Sequence, residues 1–176
     1  MPQRILGIDP GTHKMGYGII DAMGPDYYHI ASGALSASRS EWLGGRLWRL
    51  LQDLLKLIDE YKPTALAEER PFVPRGQSDF QHSNVASALA IGQAEALVLI
   101  AAAARDLPLE RYAPGEIKKA VSNDGRGSKL QVQEMVRLIL RLAEPPRPLD
   151  ATDALAVAIC HLQSQHVKEL VETSRK

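Results

Sequence analysis

Ile5-Leu6-Gly7-Ile8-Asp9-Pro10-Gly11-Thr12 sets a carboxylate where a short apolar run meets a turn. Residues 5–9 have strand character, and Pro10-Gly11 breaks the chain direction immediately after the acid. A second short strand follows over residues 16–21. Gly24-Pro25-Asp26 marks another turn, and residues 28–35 supply a third strand. Three short strands joined by tight turns predict an antiparallel meander with Asp9 at one end of its first strand.

Beyond the meander the hydrophobic period changes. Leu43, Leu47, Leu50, Leu51, Leu54, Ile58 and Tyr61 recur at helical spacing, with Ser40 as the expected N-cap and Pro63 as the stop. Residues 64–68 form a short strand of small and apolar residues ending in acid, suited to the middle of a sheet. Residues 71–82 are a polar loop, and residues 83–105 a long Ala-rich helix that is apolar nearly all round. Such a helix needs more than one neighbour, within the fold or in a dimer. A fifth strand over 109–113, a short helix over 114–121, a Gly-rich charged loop over 123–128 and an amphipathic helix over 131–142 come next. A Pro-rich connector over 144–148 leads to a last helix over 150–165. The expected fold is α/β, a five-stranded mixed sheet with helices on both faces. One domain over residues 1–166 and a short polar tail over 167–176 are expected.

A chain of 176 residues with 45% hydrophobic and 24% charged residues can bury a proper core. The longest apolar stretch, residues 94–104, is half of a membrane span, and the N-terminus has no signal-peptide pattern. Cys160 is the only cysteine, which rules out an intrachain disulfide and a zinc site on paired cysteines. A cytoplasmic protein without membrane contact is expected. The 21 basic and 21 acidic residues balance, so nucleic-acid binding would rest on a local patch rather than a general basic excess.

The acids carry the chemistry. Asp150 and Asp153 are three apart at the start of a helix and share a face. Glu68 and Glu69 end an apolar strand. Taken singly, Asp9 reads as a turn residue and Asp150 as a helix cap. Taken together, acids from a first strand, a fourth strand and a last helix ask for a cation, because burying unpaired carboxylates is costly. Oxygen-only ligands suit Mg²⁺ or Mn²⁺, and two ions would serve a phosphodiester displacement.

The opening segment, with Gly16-Tyr17-Gly18 after it, resembles the start of the RuvC family of crossover (Holliday) junction endodeoxyribonucleases. Ala67-Glu68-Glu69-Arg70-Pro71-Phe72 is similar to that family's second acidic motif, and Ala88-Leu89 with Gly92-Gln93-Ala94 to the helix that follows it. Tyr112-Ala113-Pro114, Ile117-Lys118-Lys119-Ala120-Val121, Gly127-Ser128-Lys129 with Gln131-Val132, and Asp150 to Ala156 complete the resemblance in order. It spans residues 5–162 and implies an RNase H-like fold. It further implies metal-binding catalytic acids at Asp9, Glu69, Asp150 and Asp153. Glu69 is preferred because it stands three before Phe72. Glu68, on the opposite side of an alternating strand, is then a solvent-facing acid. The implied substrate is four-way junction DNA, cut by paired symmetric nicks from a homodimer that works beside the RuvA–RuvB branch-migration complex. The stretch between Phe72 and Gly92 is longer than the family pattern leads one to expect.

Lys118 and Lys129 match family positions near the scissile phosphate, and lysine suits phosphate as a point charge. Arg75, Lys119 and Arg126 lie in the same segments and would widen the patch, whereas Arg137 and Arg141 read as helix surface. Phe72 and Phe80 are candidates to stack on an unpaired base. Trp42 and Trp48 are expected to pack, His13 to be plain surface, and Cys160 to fill the core. Competing readings are a YqgF-type nuclease acting on RNA and a DNA-binding module without activity. A nucleotide-binding actin-like kinase shares Gly7-x-Asp9-x-Gly11-Thr12 but needs two such domains, more than this length provides.

Overall fold

The computed structural model describes residues 3–70, 82–122 and 128–173. Three strands form the expected meander: β1 (Gln3–Asp9), β2 (Lys14–Met23) and β3 (Asp26–Ser36), paired antiparallel in sequence order. The helix α1 (Leu43–Tyr61) crosses one face and returns the chain as β4 (Ala65–Glu69), parallel to β1. The helix α2 (His82–Ala104) leads to β5 (Leu109–Tyr112), parallel to β4. The strand order is β3-β2-β1-β4-β5. The chain closes with α3 (Pro114–Ser122), α4 (Lys129–Ile139) and α5 (Leu149–Thr173).

Both sheet faces are covered, as expected. Leu6, Ile8, Met15, Ile19 and Leu66 pack beneath α1 and α2, among Leu50, Leu54, Leu97 and Val98. Ile5, Ile20, Ala65 and Ala67 pack on the other side under α3, α4 and α5, among Ile117, Val132, Val136 and Leu155. Side chains alternate along a strand. The register therefore assigns Asp9 to the face of Ile5, and Glu69 to the face of Ala65 and Ala67, so both belong to the α5 side. Glu68 shares the opposite face with Leu66.

Packing on the α5 side is close. A Cβ on Gly7 would collide with the backbone carbonyl of Ala154, and one on Gly16 with that of Asp150. Bare glycine backbone on β1 and β2 lets the first turns of α5 lie against the sheet, which brings Asp150 and Asp153 toward the end of β1. Ser128 caps α4 by a capping box with Gln131, so this helix begins two residues earlier than its apolar period suggests.

Several expectations need correction. The N-cap of α1 is Trp42 rather than Ser40, and it makes no side-chain capping bond; the Ser40 hydroxyl instead meets that of Ser38 at 2.8 Å. Trp42 and Trp48 do not pack into the core: they are 77% and 59% exposed. The core stripe of α1 is filled by Leu50, Leu54, Leu57 and Ile58, which leaves no room for an indole. The strand β4 ends one residue later than expected, at Glu69. The last helix, expected to stop at Gln165, continues to Thr173, and every described residue from His166 onward is exposed. Local helix propensity suffices to extend it past the point where it contacts the sheet. Among the described residues, no helix is long and apolar enough to cross a membrane.

Candidate active site

The carboxyl end of β1, the end of β4 and the first turn of α5 bring four acids into one electrostatic neighbourhood. Burial, then the charges of Asp153, Glu69 and Asp150, push the Asp9 carboxyl up to about 7. Glu69 is raised mainly by burial and next by Asp153, with Lys129 and Lys118 opposing. Asp153 is raised by burial, and Lys129 is the largest opposing influence. Asp9 thus feels all three of the other acids, and burial together with their charge makes its ionisation costly.

Lysines answer part of this charge. Lys14 Nζ lies 2.5 Å from Asp150 Oδ2, and Lys129 Nζ lies 3.7 Å from Asp153 Oδ2. The Lys129 side chain is 75% exposed, so its ammonium remains open to solvent. Glu69, Asp153, Lys118 and Lys129 line one cleft of about 220 Å³, closed on its apolar side by Pro114, Ile117, Val132 and Ala156. The sequence reading missed Lys14. Its signal was its position five residues after Asp9, at the start of the strand that returns to Asp9 through the Asp9–Gly16 pair.

Of the sequence candidates, Asp9, Glu69, Asp150, Asp153, Lys118 and Lys129 come together. Lys119 is exposed on α3 and does not line the cleft. Phe72, Arg75, Phe80 and Arg126 lie outside the described residues. Arg137 is surface, paired with Glu134 at 2.6 Å; Arg141 lies just past α4 and pairs with Asp26 at 3.1 Å. Cys160 is buried, as expected.

Glu68 departs from expectation. It is 0% exposed rather than solvent-facing, and its carboxylate lies 2.6 Å from Arg111 Nε. Arg111 is the cation that answers this buried carboxylate. Burial pushes Glu68 up to about 7, Arg111 pulls it down, and Glu95 of α2 adds repulsion. The position follows from alternation: the residue beside an inward Glu69 points into the other core. Sequence alone did not show that α2 would cover it.

The donor set suits a hard divalent cation. It is carboxylate oxygen throughout, with an excess of negative charge that raises Asp9 to about 7. Among the described residues, no three ligating side chains converge closely enough to hold an ion as they stand. Two of the four carboxylates are turned to lysine ammoniums.

The family model for crossover junction endodeoxyribonuclease RuvC matches residues 5–161. A protein of that description from Dehalococcoides mccartyi strain 195 is 47% identical over 158 residues, covering 90% of this chain and 91% of the relative. One from Thermobifida fusca is 40% identical over 174 residues, covering 98% and 91%. The structure of Thermus thermophilus RuvC in complex with a Holliday junction substrate superposes with a TM-score of 0.83 at 30% identity, covering 94% of this chain and 96% of that one. The yeast mitochondrial Holliday junction resolvase Ydc2 shares the fold, with a TM-score of 0.64 at 14% identity, covering 97% and 86%.

Proposed function

The chain belongs to the RuvC family of crossover junction endodeoxyribonucleases, and we propose that it resolves four-way DNA junctions by paired symmetric nicks made with Asp9, Glu69, Asp150 and Asp153. The observation that carries this reading is the convergence of these acids with Lys118 and Lys129 at one end of the sheet.

The protein is a metal-dependent nuclease, and in this reading the four carboxylates hold two Mg²⁺ or Mn²⁺ ions. Such cations supply Lewis-acid chemistry, drawing charge from the scissile phosphate and promoting ionisation of the attacking water. The chain's own groups do the rest. Gly7 and Gly16 let α5 lie close enough to aim Asp150 and Asp153 at the end of β1. Lys14 and Lys129 balance two acids in the free protein. Lys118 and the open ammonium of Lys129 meet the incoming phosphate in the cleft, where positive charge stabilises the negative charge that develops.

Two strands must be cut, and one site serves one strand. A two-fold dimer matches the symmetry of the junction. The surface of α2 supports it: Val85, Leu89, Leu99 and Ile100 are exposed, and Val85, Ala88, Leu89, Gly92, Gln93 and Ala96 line a shallow apolar groove. Residues 1–166 form the nuclease domain in this reading, 167–176 lie outside it, and the enzyme works on DNA in the cytoplasm beside the RuvA–RuvB branch-migration complex. The test is cleavage of a synthetic four-way junction. Paired nicks that stop on chelation and return with Mg²⁺ or Mn²⁺ are expected. A protein that leaves the junction intact under all these conditions would defeat the reading.

A further inference from the structure

The turn after Asp9 is tied to the segment that enters α1, because Ala37 N–H donates to the His13 carbonyl at 3.0 Å. Lys14 at the start of β2 pairs with Ser36 at the end of β3, so this segment leaves the sheet at the same end as the four acids. Arg39 and Arg46 both reach His13 electrostatically. Among the described residues, neither arginine has a carboxylate within ion-pair distance, although Arg49 on the next turn is matched by Glu41 at 3.2 Å. Among the described residues, Arg46 is held by long contacts to backbone carbonyls, 3.4 Å to Arg39 and 3.5 Å to Glu41, and its buried Nε has no partner.

Beside these cations stands Trp42, 77% exposed, with its ring lying across Gly44 and Gly45. A Cβ on either glycine would strike the indole, so the small residues keep the ring flat against the first turn of α1. That turn has no acid of its own and no side-chain cap, and the Glu41 carboxylate that lies beside Gly45 is answered by Arg49.

An exposed indole and, among the described residues, two arginines without a carboxylate partner thus share one corner of the fold. We propose that Arg39, Arg46 and Trp42 form a second DNA-contact surface, which grips the backbone of the junction strand next to the cut. Phosphates meet the two guanidiniums, and the indole lies against sugar or base. Continuity with the catalytic end through His13 and Lys14 is what selects nucleic acid over protein as the occupant. This inference rests on the junction-resolving reading and extends its footprint from the α5 side of the sheet to the α1 side.

The test compares Arg39→Gln and Trp42→Phe with the parent on a synthetic junction, in Ca²⁺ or chelator so that only binding is read. Arg39 and Trp42 are exposed, so both variants keep the fold. Each phosphate contact contributes about 0.9 to the slope of log affinity against log salt. Arg39→Gln should lose one such contact, which makes the fall in affinity between about 50 and 200 mM salt roughly threefold smaller. Junction binding should change the parent's Trp fluorescence, and Trp42→Phe should remove most of that change while Trp48 remains. An unchanged slope with an undiminished fluorescence response would overturn the proposal. So would an unchanged slope with a lower sedimentation mass, because the surface would then belong to a subunit contact. Failure of the parent itself to bind or nick junctions would instead strike the reading beneath it.

Discussion

Asp9→Asn should leave the protein unable to nick junctions and, without metal, make it more stable than the parent. The carboxyl is carried from an ordinary 3.8 to about 7 by burial and by three neighbouring acids. A carboxyl raised in the folded state binds its proton more tightly there than in the unfolded chain. Folding is therefore favoured below about pH 4, and the parent loses stability as pH rises toward 7. At about 1.4 kcal/mol per pH unit the ceiling is about 4 kcal/mol. Water reaches the partly open site, and roughly half that ceiling, about 2 kcal/mol, is a reasonable expectation. For a domain of this size that is about 4–8 °C in Tm. Thermal melts of both proteins in chelator at pH 4 and pH 8 test this. The curves should nearly coincide at pH 4, and the Asn variant should melt higher at pH 8. Adding Mg²⁺ at pH 8 should raise the parent's Tm and leave the variant's nearly unchanged. An Asn variant that melts with or below the parent at pH 8 would refute the claim that these acids crowd one another.

Replacing both members of the buried pair, Glu68→Leu with Arg111→Leu, should leave nicking at the parental rate and the melt no lower, because apolar packing often matches a buried ion pair; loss of nicking with an intact melt would bring Glu68 into the site. Lys14→Gln frees Asp150 from a partly exposed ion pair worth about 0.2–1 kcal/mol, so calorimetry without DNA should show divalent binding tightened by up to roughly fivefold. Weaker binding would show that Lys14 organises the acids rather than competing for them. Leu89→Glu charges a residue that is 63% exposed, so it should fold normally, sediment as a monomer and fail to make paired nicks. A dimer mass for this variant would move the subunit contact away from α2.

The sequence by itself determined the element order and the antiparallel meander, and it singled out four acids that the fold brings together. Those features are local: an apolar run ending at Asp9 before Pro10-Gly11, an acid at the end of β4, and two acids one helical turn apart in α5. Strand alternation also separated Glu69 from Glu68 correctly. Only the tertiary structure decided what lay on each side. Glu68 became a buried acid because α2 covers its face of the sheet, a contact between distant segments that no local pattern encodes. Lys14 became a partner of Asp150 because glycines at positions 7 and 16 let α5 settle close to β1 and β2. Trp42 and Trp48 fall within a helical apolar pattern, yet helical phase alone does not say which apolar residues a neighbour will reach. The core contact of α1 is narrow enough for Leu50, Leu54, Leu57 and Ile58 to fill it, and the indoles were left at the surface.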